Sequence, residues 1–284
     1  MSKLLEMFQQ DFMLSVLAGT VIVAGLCAYL GVFIVLRRAV FVGAALAQVS
    51  SLGVAVALWL GGAFGLVGGH DLPWWGQPLA LLLTLGAAVA LAIQYRERSL
   101  PRETLVGVVY AAAAGAAILV VAVTAGGEAA VVNLLFGNVL TISGSGVAGL
   151  VVLAVVIGVV HGLFFKEFLF SAFDPDMATA LGVRARTWNV LLFLTIGVTI
   201  SFAIRAAGAL VVFNFLVLPA ATGLLLGGRM RSVLVIAVLA GVVATVAGVA
   251  ISYVGDLPTG PTIVAVSVTF CALAAIAKRL WRAD

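Results

Sequence analysis

Long apolar segments recur along this chain, and each is long enough to cross a bilayer as a helix, which takes about 20 mostly apolar residues. They lie near residues 13–36, 41–66, 77–94, 104–124, 145–165, 188–204, 207–227, 232–253 and 261–278. Hydrophobic residues make up 64% of the chain and charged residues 9%, and a soluble domain could not bury that much apolar surface. We therefore predict an all-α, polytopic membrane helix bundle with eight or nine spans in a single transmembrane domain, residues 1–284. The count depends on whether a break near Arg205 separates two helices or interrupts one.

The basic residues predict the orientation of these spans. If the spans alternate, one side of the membrane receives Arg37, Arg38, Arg96, Arg98, Arg102, Lys166, Arg184, Arg186, Arg229, Arg231, Lys278, Arg279 and Arg282. Only Lys3 and Arg205 fall on the other side. Because short loops rich in Lys and Arg stay in the cytoplasm, we expect the N-terminus outside and the C-terminus in the cytoplasm.

The sequence offers little support for catalysis or for nucleic-acid binding. It contains no G-x-x-x-x-G-K-[ST] phosphate loop, so we expect no ATP hydrolysis by that device and no bound cofactor. The basic residues cluster at membrane borders, which argues against a nucleic-acid partner. His161 is far from the other histidine, His70. His70 and Asp71 form either a metal-capturing pair or part of a solvated outer loop, and we assign no metal site.

Uncharged polar residues stand inside the predicted spans. These are Gln48, Ser50, Ser51, Asn214 and Thr222. Such side chains either hydrogen-bond to a neighbouring helix or line a water-filled path for a substrate. Pro219 follows Asn214 by five residues and predicts a helix break, because proline removes a backbone hydrogen bond and frees a carbonyl. Two polar clusters together with a broken helix favour a translocation path.

A polar cytoplasmic loop, residues 166–187, contains the signature of a short amphipathic helix near 173–182. Asp174 can cap this helix, with Pro175 at its first position and Gly182 at its end. Phe173, Met177 and Leu181 recur every fourth residue and form one apolar stripe. Such a helix either rests on lipid or inserts into the groove of a partner.

Four segments resemble the zinc/manganese-type metal ABC importer permeases, the ABC-3 family. They are "LGVFIVLRRAVFVGAALAQVSSLGVAVAL" from Leu30, "FDPDMATALGV" from Phe173, "AAGALVVFNFLVLPAAT" from Ala206 and "DLPTGPTIV" from Asp256. The resemblance spans nearly the whole chain and implies a homodimer of permeases in a bacterial inner membrane. It also implies two cytoplasmic ATPase subunits that use the ATP, and a periplasmic or lipoprotein substrate-binding protein. By the same resemblance, the segment near 173–182 engages the ATPase.

One motif departs from the family pattern. After the double arginine, members of this family typically carry "GDxLAHA", whose aspartate and histidine share a helical face and can touch a cation. This sequence has Ala44 at the aspartate position and Gln48 at the histidine position, and Asn214 where a small hydroxyl residue is usual. We predict a path lined by Ala44, Gln48, Ser51 and Asn214. Its cargo is either a bare transition metal ion (zinc, manganese or iron) or a metal chelate, such as a siderophore complex, that brings its own ligands.

Two other hypotheses remain at this point. The first is an ion-gradient-driven secondary transporter or channel, which generally needs titratable groups at membrane depth; Arg205, near an outer end, is the one candidate. The second is a structural or assembly protein without transport, against which the polar residues and Pro219 argue weakly.

Overall fold

The computed structural model describes residues 11–64, 73–93, 101–124 and 144–281. Within these ranges the chain forms eleven helices and no strands. They are α1 (Asp11–Leu36), α2 (Val40–Ala63), α3 (Gly76–Ile93), α4 (Arg102–Ala122), α5 (Gly144–Leu163), α6 (Phe165–Phe173), α7 (Pro175–Ala180), α8 (Ala185–Ala207), α9 (Ala209–Leu226), α10 (Met230–Gly255) and α11 (Thr259–Trp281). The predicted all-α class is confirmed for the part of the chain that the structure describes.

Nine of the described helices are long and apolar enough to cross a membrane: α1 to α5 and α8 to α11. The break near Arg205 falls at Gly208, which stands alone between α8 and α9 with φ +80°. That conformation suits glycine, which lacks the Cβ that would clash there. The break therefore separates two helices, α8 and α9, rather than interrupting one. The orientation of the spans stays a prediction.

The described helices group into two compact units. Unit 1 contains residues 11–35, 144–156 and 206–281, and unit 2 contains residues 36–64, 73–93, 101–124 and 157–205. Neither unit is a continuous stretch of sequence. The prediction of a single domain stays a prediction.

Unit 1 is packed through glycines that let helix backbones approach closely, as is common in membranes. Gly241 of α10 faces α1, where a Cβ would lie 3.2 Å from the Ala28 side chain. Gly248, two turns further along α10, faces α11, where a Cβ would lie 2.7 Å from the Ile263 Cα atom. Helix α10 therefore contacts α1 and α11 through small residues.

Unit 2 places α2 between α3 and α4. On one side, a Cβ at Gly53 would lie 2.5 Å from the Cα atom of Ala80 in α3. On the other side, Ala55 packs against Ala117 and Val121 of α4, and all three side chains are buried. These contacts fix α2, the helix that carries Ala44, Gln48 and Ser51.

Candidate translocation site and coupling surface

Three of the predicted path residues share one face of α2. Ala44, Gln48 and Ser51 are spaced by four and three residues, which places them one above another on a helix. Ala44 and Gln48 are half-buried, whereas Ser51 is buried. Unit 2 therefore presents one amide and one hydroxyl on a common face, with a small alanine beside them.

Helix α4 covers this face one turn further along α2, at Ala55. Ala55 follows Ser51 by four residues and continues the same face, and it packs against Ala117 and Val121. These three side chains are buried and apolar. The polar groups of this face, Gln48 and Ser51, therefore lie between Ala44 and the apolar contact at Ala55.

The two serines of α2 lack hydrogen-bond partners among the described residues. The Ser50 and Ser51 hydroxyl oxygens are buried, and neither bonds to another side chain or to a backbone carbonyl in the described ranges. Serine in a helix commonly bonds to the carbonyl four residues earlier, as Thr84 does with Ala80 at 2.7 Å. A buried polar group without a partner costs about 1–3 kcal/mol, so a hydrogen bond from a water molecule or a ligand would stabilise these hydroxyls.

In unit 1, Asn214 forms an interhelical hydrogen bond. Its Nδ2 atom donates to the Ser267 Oγ atom of α11 at 3.1 Å, and that hydroxyl in turn donates to the Ile263 carbonyl at 2.9 Å. The Asn214 Oδ1 atom is buried and has no partner among the described residues. Because the amide nitrogen is held by α11, the orientation of the amide is fixed and its carbonyl oxygen is free to accept.

Ser267 is a partner that sequence reasoning missed. It is a lone hydroxyl in the apolar run of α11 and is 3% exposed. Single serines in spans are common, so only the contact with Asn214 distinguishes it. Thr222, by contrast, bonds within its own helix, to the Leu218 carbonyl at 2.9 Å.

The helix break predicted at Pro219 is absent. Helix α9 continues through this buried proline from Ala209 to Leu226, because a single proline removes only one helical donor and its neighbours hold the helix on either side. The carbonyl of Phe215, four residues earlier, loses the donor that Pro219 lacks. The interruption in this region lies instead at Gly208.

No metal-ligand cluster is present in the described ranges: no three residues among His, Cys, Asp and Glu lie close enough together to hold an ion. His70 and Asp71 lie outside the described residues. His161 is buried in α5, where its Nε2 atom lies 3.1 Å from the Thr195 Oγ1 atom of α8. Its ring stacks on Phe168, with ring centroids 4.2 Å apart, so His161 joins α5 to both α8 and α6.

The predicted short helix is present as α7, and its ends have the geometry that the sequence indicates. The Asp174 Oδ1 atom accepts a hydrogen bond from the Met177 backbone N–H at 2.9 Å, and Pro175 occupies the first helical position. Gly182 follows the helix with φ +82°, a conformation that favours glycine at a helix end. The helix ends at Ala180, slightly earlier than predicted.

An exposed apolar stripe runs along this segment. Phe173, Met177 and Leu181 are 62%, 55% and 64% exposed, whereas Ala178 on the opposite side is buried. Phe173 belongs to the end of α6 rather than to α7. Exposed apolar side chains in one row outside the spans are characteristic of a surface that binds a partner protein or the membrane. The role of the stripe in coupling stays a prediction.

Helix α6 was not predicted from the sequence, which indicated a loop before the amphipathic helix. Phe168, on its buried side, lies between the His161 ring and Trp188, whose ring centroid is 5.3 Å away in an edge-on arrangement. Phe168 and Ala172 recur at helical spacing, which could have indicated this helix. Its aromatic contacts attach α6 to the adjoining ends of α5 and α8.

Comparison with known proteins places this architecture among transport proteins. The sequence matches the ABC 3 transport family over residues 9–278. It is 29% identical over 291 residues to the manganese transport system membrane protein MntC of Halalkalibacterium halodurans, covering 98% of this chain and 93% of that protein. It is also 29% identical over 264 residues to the "Probable iron transport system membrane protein" of Haemophilus influenzae, covering 92% and 88%. PsaBC from Streptococcus pneumoniae, solved in complex with Fab, has the same fold, with a TM-score of 0.82, 22% identity and coverage of 96% and 94%.

Proposed function

This chain belongs to the ABC 3 transport family, and we propose that it is the membrane permease subunit of an ATP-driven ABC importer for a transition metal. The observation that carries the proposal is the family match over residues 9–278, which includes all nine spanning helices except the last residues of α11. The relatives described for manganese and iron transport align over more than nine-tenths of this chain. They support a transition metal as the cargo.

The chemistry of the proposed path is neutral. Gln48, Ser51 and Asn214 offer amide and hydroxyl groups, and Ala44 offers no ligand. Transition metals prefer imidazole, thiolate or carboxylate ligands, so these residues would hold a bare ion weakly. They are better suited to hydrogen-bonding the organic shell of a chelate. Zinc, manganese and iron, free or chelated, are the cargoes to be compared.

The partners of the proposed importer are proposed from the chain's family, and the missing ATP-binding loop in the sequence supports a separate ATPase. ATP would be used by two cytoplasmic ATPase subunits. These subunits would bind the stripe of Phe173, Met177 and Leu181, whose exposed apolar side chains suit a protein groove. A second copy of the permease would complete the path, and a periplasmic or lipoprotein binding protein would deliver the cargo. The assembly would reside in a bacterial inner membrane.

Uptake into liposomes tests the proposed cargo. The chain is reconstituted with its ATPase and binding protein, and radiolabelled zinc, manganese and iron are supplied with ATP, first free and then chelated. We expect ATP-dependent uptake of at least one metal form. Uptake of a free ion would show that the neutral residues suffice, and uptake of a chelate alone would assign them to a larger cargo. No ATP-dependent uptake of any form would overturn the proposal.

A further inference from the structure

Arg37 joins separate helices of unit 2 from the short junction between α1 and α2. Its Nη1 atom donates to the Asn189 Oδ1 atom near the start of α8. Its Nη2 atom donates to two acceptors of Ser171 in α6, the backbone carbonyl at 2.5 Å and the Oγ atom at 3.1 Å. One guanidinium group therefore connects the start of α2 to two other helices.

Asn189 extends this set of contacts to a fourth helix. Its side chain is 4% exposed, and its Nδ2 atom donates to the Ala92 carbonyl at the end of α3, at 2.9 Å. The amide therefore accepts from Arg37 and donates to α3 at the same time. We refer to Arg37, Ser171, Asn189 and the Ala92 carbonyl as the Arg37 clamp.

Within unit 2, the clamp connects α6, which precedes the predicted coupling helix, to the junction that leads into α2. Asp174 alone separates α6 from α7, and the clamp holds α6 through Ser171. On the other side, α2 begins at Val40, three residues after Arg37, and carries Ala44, Gln48 and Ser51. Arg37 is the described side chain that bonds to α6 and stands in the junction leading into α2.

We propose that Arg37 is a positioning residue that transmits movements of α7 to α2 and so couples ATP hydrolysis to transport. This inference rests on the proposed function. Arginine suits the role because its planar guanidinium delivers several donors in fixed directions and stays charged, and charge-assisted hydrogen bonds are stronger than neutral ones. A lysine keeps the charge but cannot hold Asn189 and Ser171 in the same geometry.

The test compares Arg37→Lys with Arg38→Lys in the complete transporter. Arg38 is the adjacent residue, is exposed and takes no part in the clamp, so its variant controls for an arginine-to-lysine change at this junction. The readout is the number of metal ions transported per ATP hydrolysed, with radiolabelled manganese, zinc and iron measured in parallel. Thermal unfolding of each variant is measured alongside, because a residue that only stabilises the fold would change the unfolding temperature and not this ratio.

We expect Arg37→Lys to lower the ratio by at least about fivefold, the lower end of typical coupling between two sites, and Arg38→Lys to leave it unchanged. Asn189→Ala removes the same contact from the other side and gives a second test where Arg37→Lys reduces the yield. Because the two residues act together, the double variant should be no worse than the more affected single variant.

Two results would overturn the inference. The first is a ratio equal to wild type in both Arg37→Lys and Asn189→Ala, and the second is an equal loss in Arg38→Lys. In both cases the wild-type transporter still imports metal with ATP, so the proposed function stands. A wild-type complex that hydrolyses ATP without importing any metal would instead overturn the proposed function itself.

Discussion

The hydroxyl and amide groups inside the spans differ in whether they form a hydrogen bond within their own helix. Thr20, Thr84 and Thr245 donate to the carbonyl four residues earlier, at 2.7 to 2.8 Å, and each of these bonds uses the one donor of the hydroxyl. The Ser51 hydroxyl and the Asn214 Oδ1 atom have no such partner in the described ranges. A polar residue type alone therefore does not mark a path, and its hydrogen bonds are needed to single it out.

Asn214→Leu tests this distinction. The variant loses one interhelical hydrogen bond, worth about 0.6 kcal/mol in membranes, and Ser267 keeps its bond to the Ile263 carbonyl. We expect the unfolding temperature to change little, whereas metal uptake falls roughly tenfold, equivalent to about 1.4 kcal/mol. Thr222→Val is the control, because the Thr222 hydroxyl is bonded within its helix. Equal uptake by wild type and Asn214→Leu would remove Asn214 from the path.

Gly53→Ala tests the close contact between α2 and α3. A Cβ at this position would lie 2.5 Å from the Ala80 Cα atom, whereas a Cβ at Gly62 of the same helix would contact nothing within 4 Å. Overpacking of this kind typically costs about 1–3 kcal/mol. We expect Gly53→Ala to lower the thermal unfolding temperature in detergent and Gly62→Ala to leave it unchanged or higher. Similar temperatures for both variants would contradict this packing.

The sequence predicted the roles of individual residues where those roles depend on neighbours within a few positions along the chain. The cap by Asp174 depends on residues within one turn, and the sequence indicates it directly. The prediction of a break at Pro219 was wrong because a proline inside a spanning helix removes one backbone hydrogen bond, and the rest of the helix tolerates this loss. The bond between Asn214 and Ser267 joins residues 53 apart in sequence, and no local pattern reports it.

At the scale of elements, α6 and α7 show what determines a short helix. Helix α7 has six residues, too few to be stable by propensity, and depends on the Asp174 cap and its attachment to α6. Helix α6 depends on Phe168, which lies between aromatic rings of α5 and α8. The sequence predicted α7 from its capping residues and missed α6, because the contacts of α6 are tertiary.

Asp174→Ala tests the cap of α7. Loss of an N-cap side chain costs about 1 kcal/mol, and in so short a helix we expect fraying and about fivefold weaker coupling to the ATPase. Asp174→Asn keeps a side-chain oxygen that can accept from the Met177 N–H and should behave like wild type. The measurement is ATP hydrolysis stimulated by the permease. A loss in Asp174→Asn as large as that in Asp174→Ala would show that the charge matters rather than the cap.

Met177→Glu tests the apolar stripe as the surface that binds the ATPase. Burying an unpaired carboxylate costs well over about 1.4 kcal/mol, so we expect affinity for the ATPase to fall at least about tenfold. Thr179→Glu places the same charge on another side of α7, at an exposed position, and should bind normally. The measurement is co-purification of the ATPase. Full binding by Met177→Glu would assign the stripe to lipid instead.

At the scale of the whole molecule, the fold class could be predicted because it depends on the length and number of apolar segments. Nine described helices meet that criterion, and the family match covers them. The grouping of these helices into two units was not predicted, because it depends on contacts between helices far apart in sequence. The fold class does not indicate the cargo, because a spanning helix can carry ionisable or neutral side chains at the positions of Ala44 and Gln48.

The most direct test of the central claim is the energy source of metal uptake. Liposomes containing the chain, its ATPase and its binding protein are given either ATP or an imposed proton or sodium gradient without ATP. We predict metal uptake with ATP alone, and none with a nonhydrolysable ATP analogue. Uptake driven by a gradient through the chain by itself would contradict the account and identify a secondary transporter.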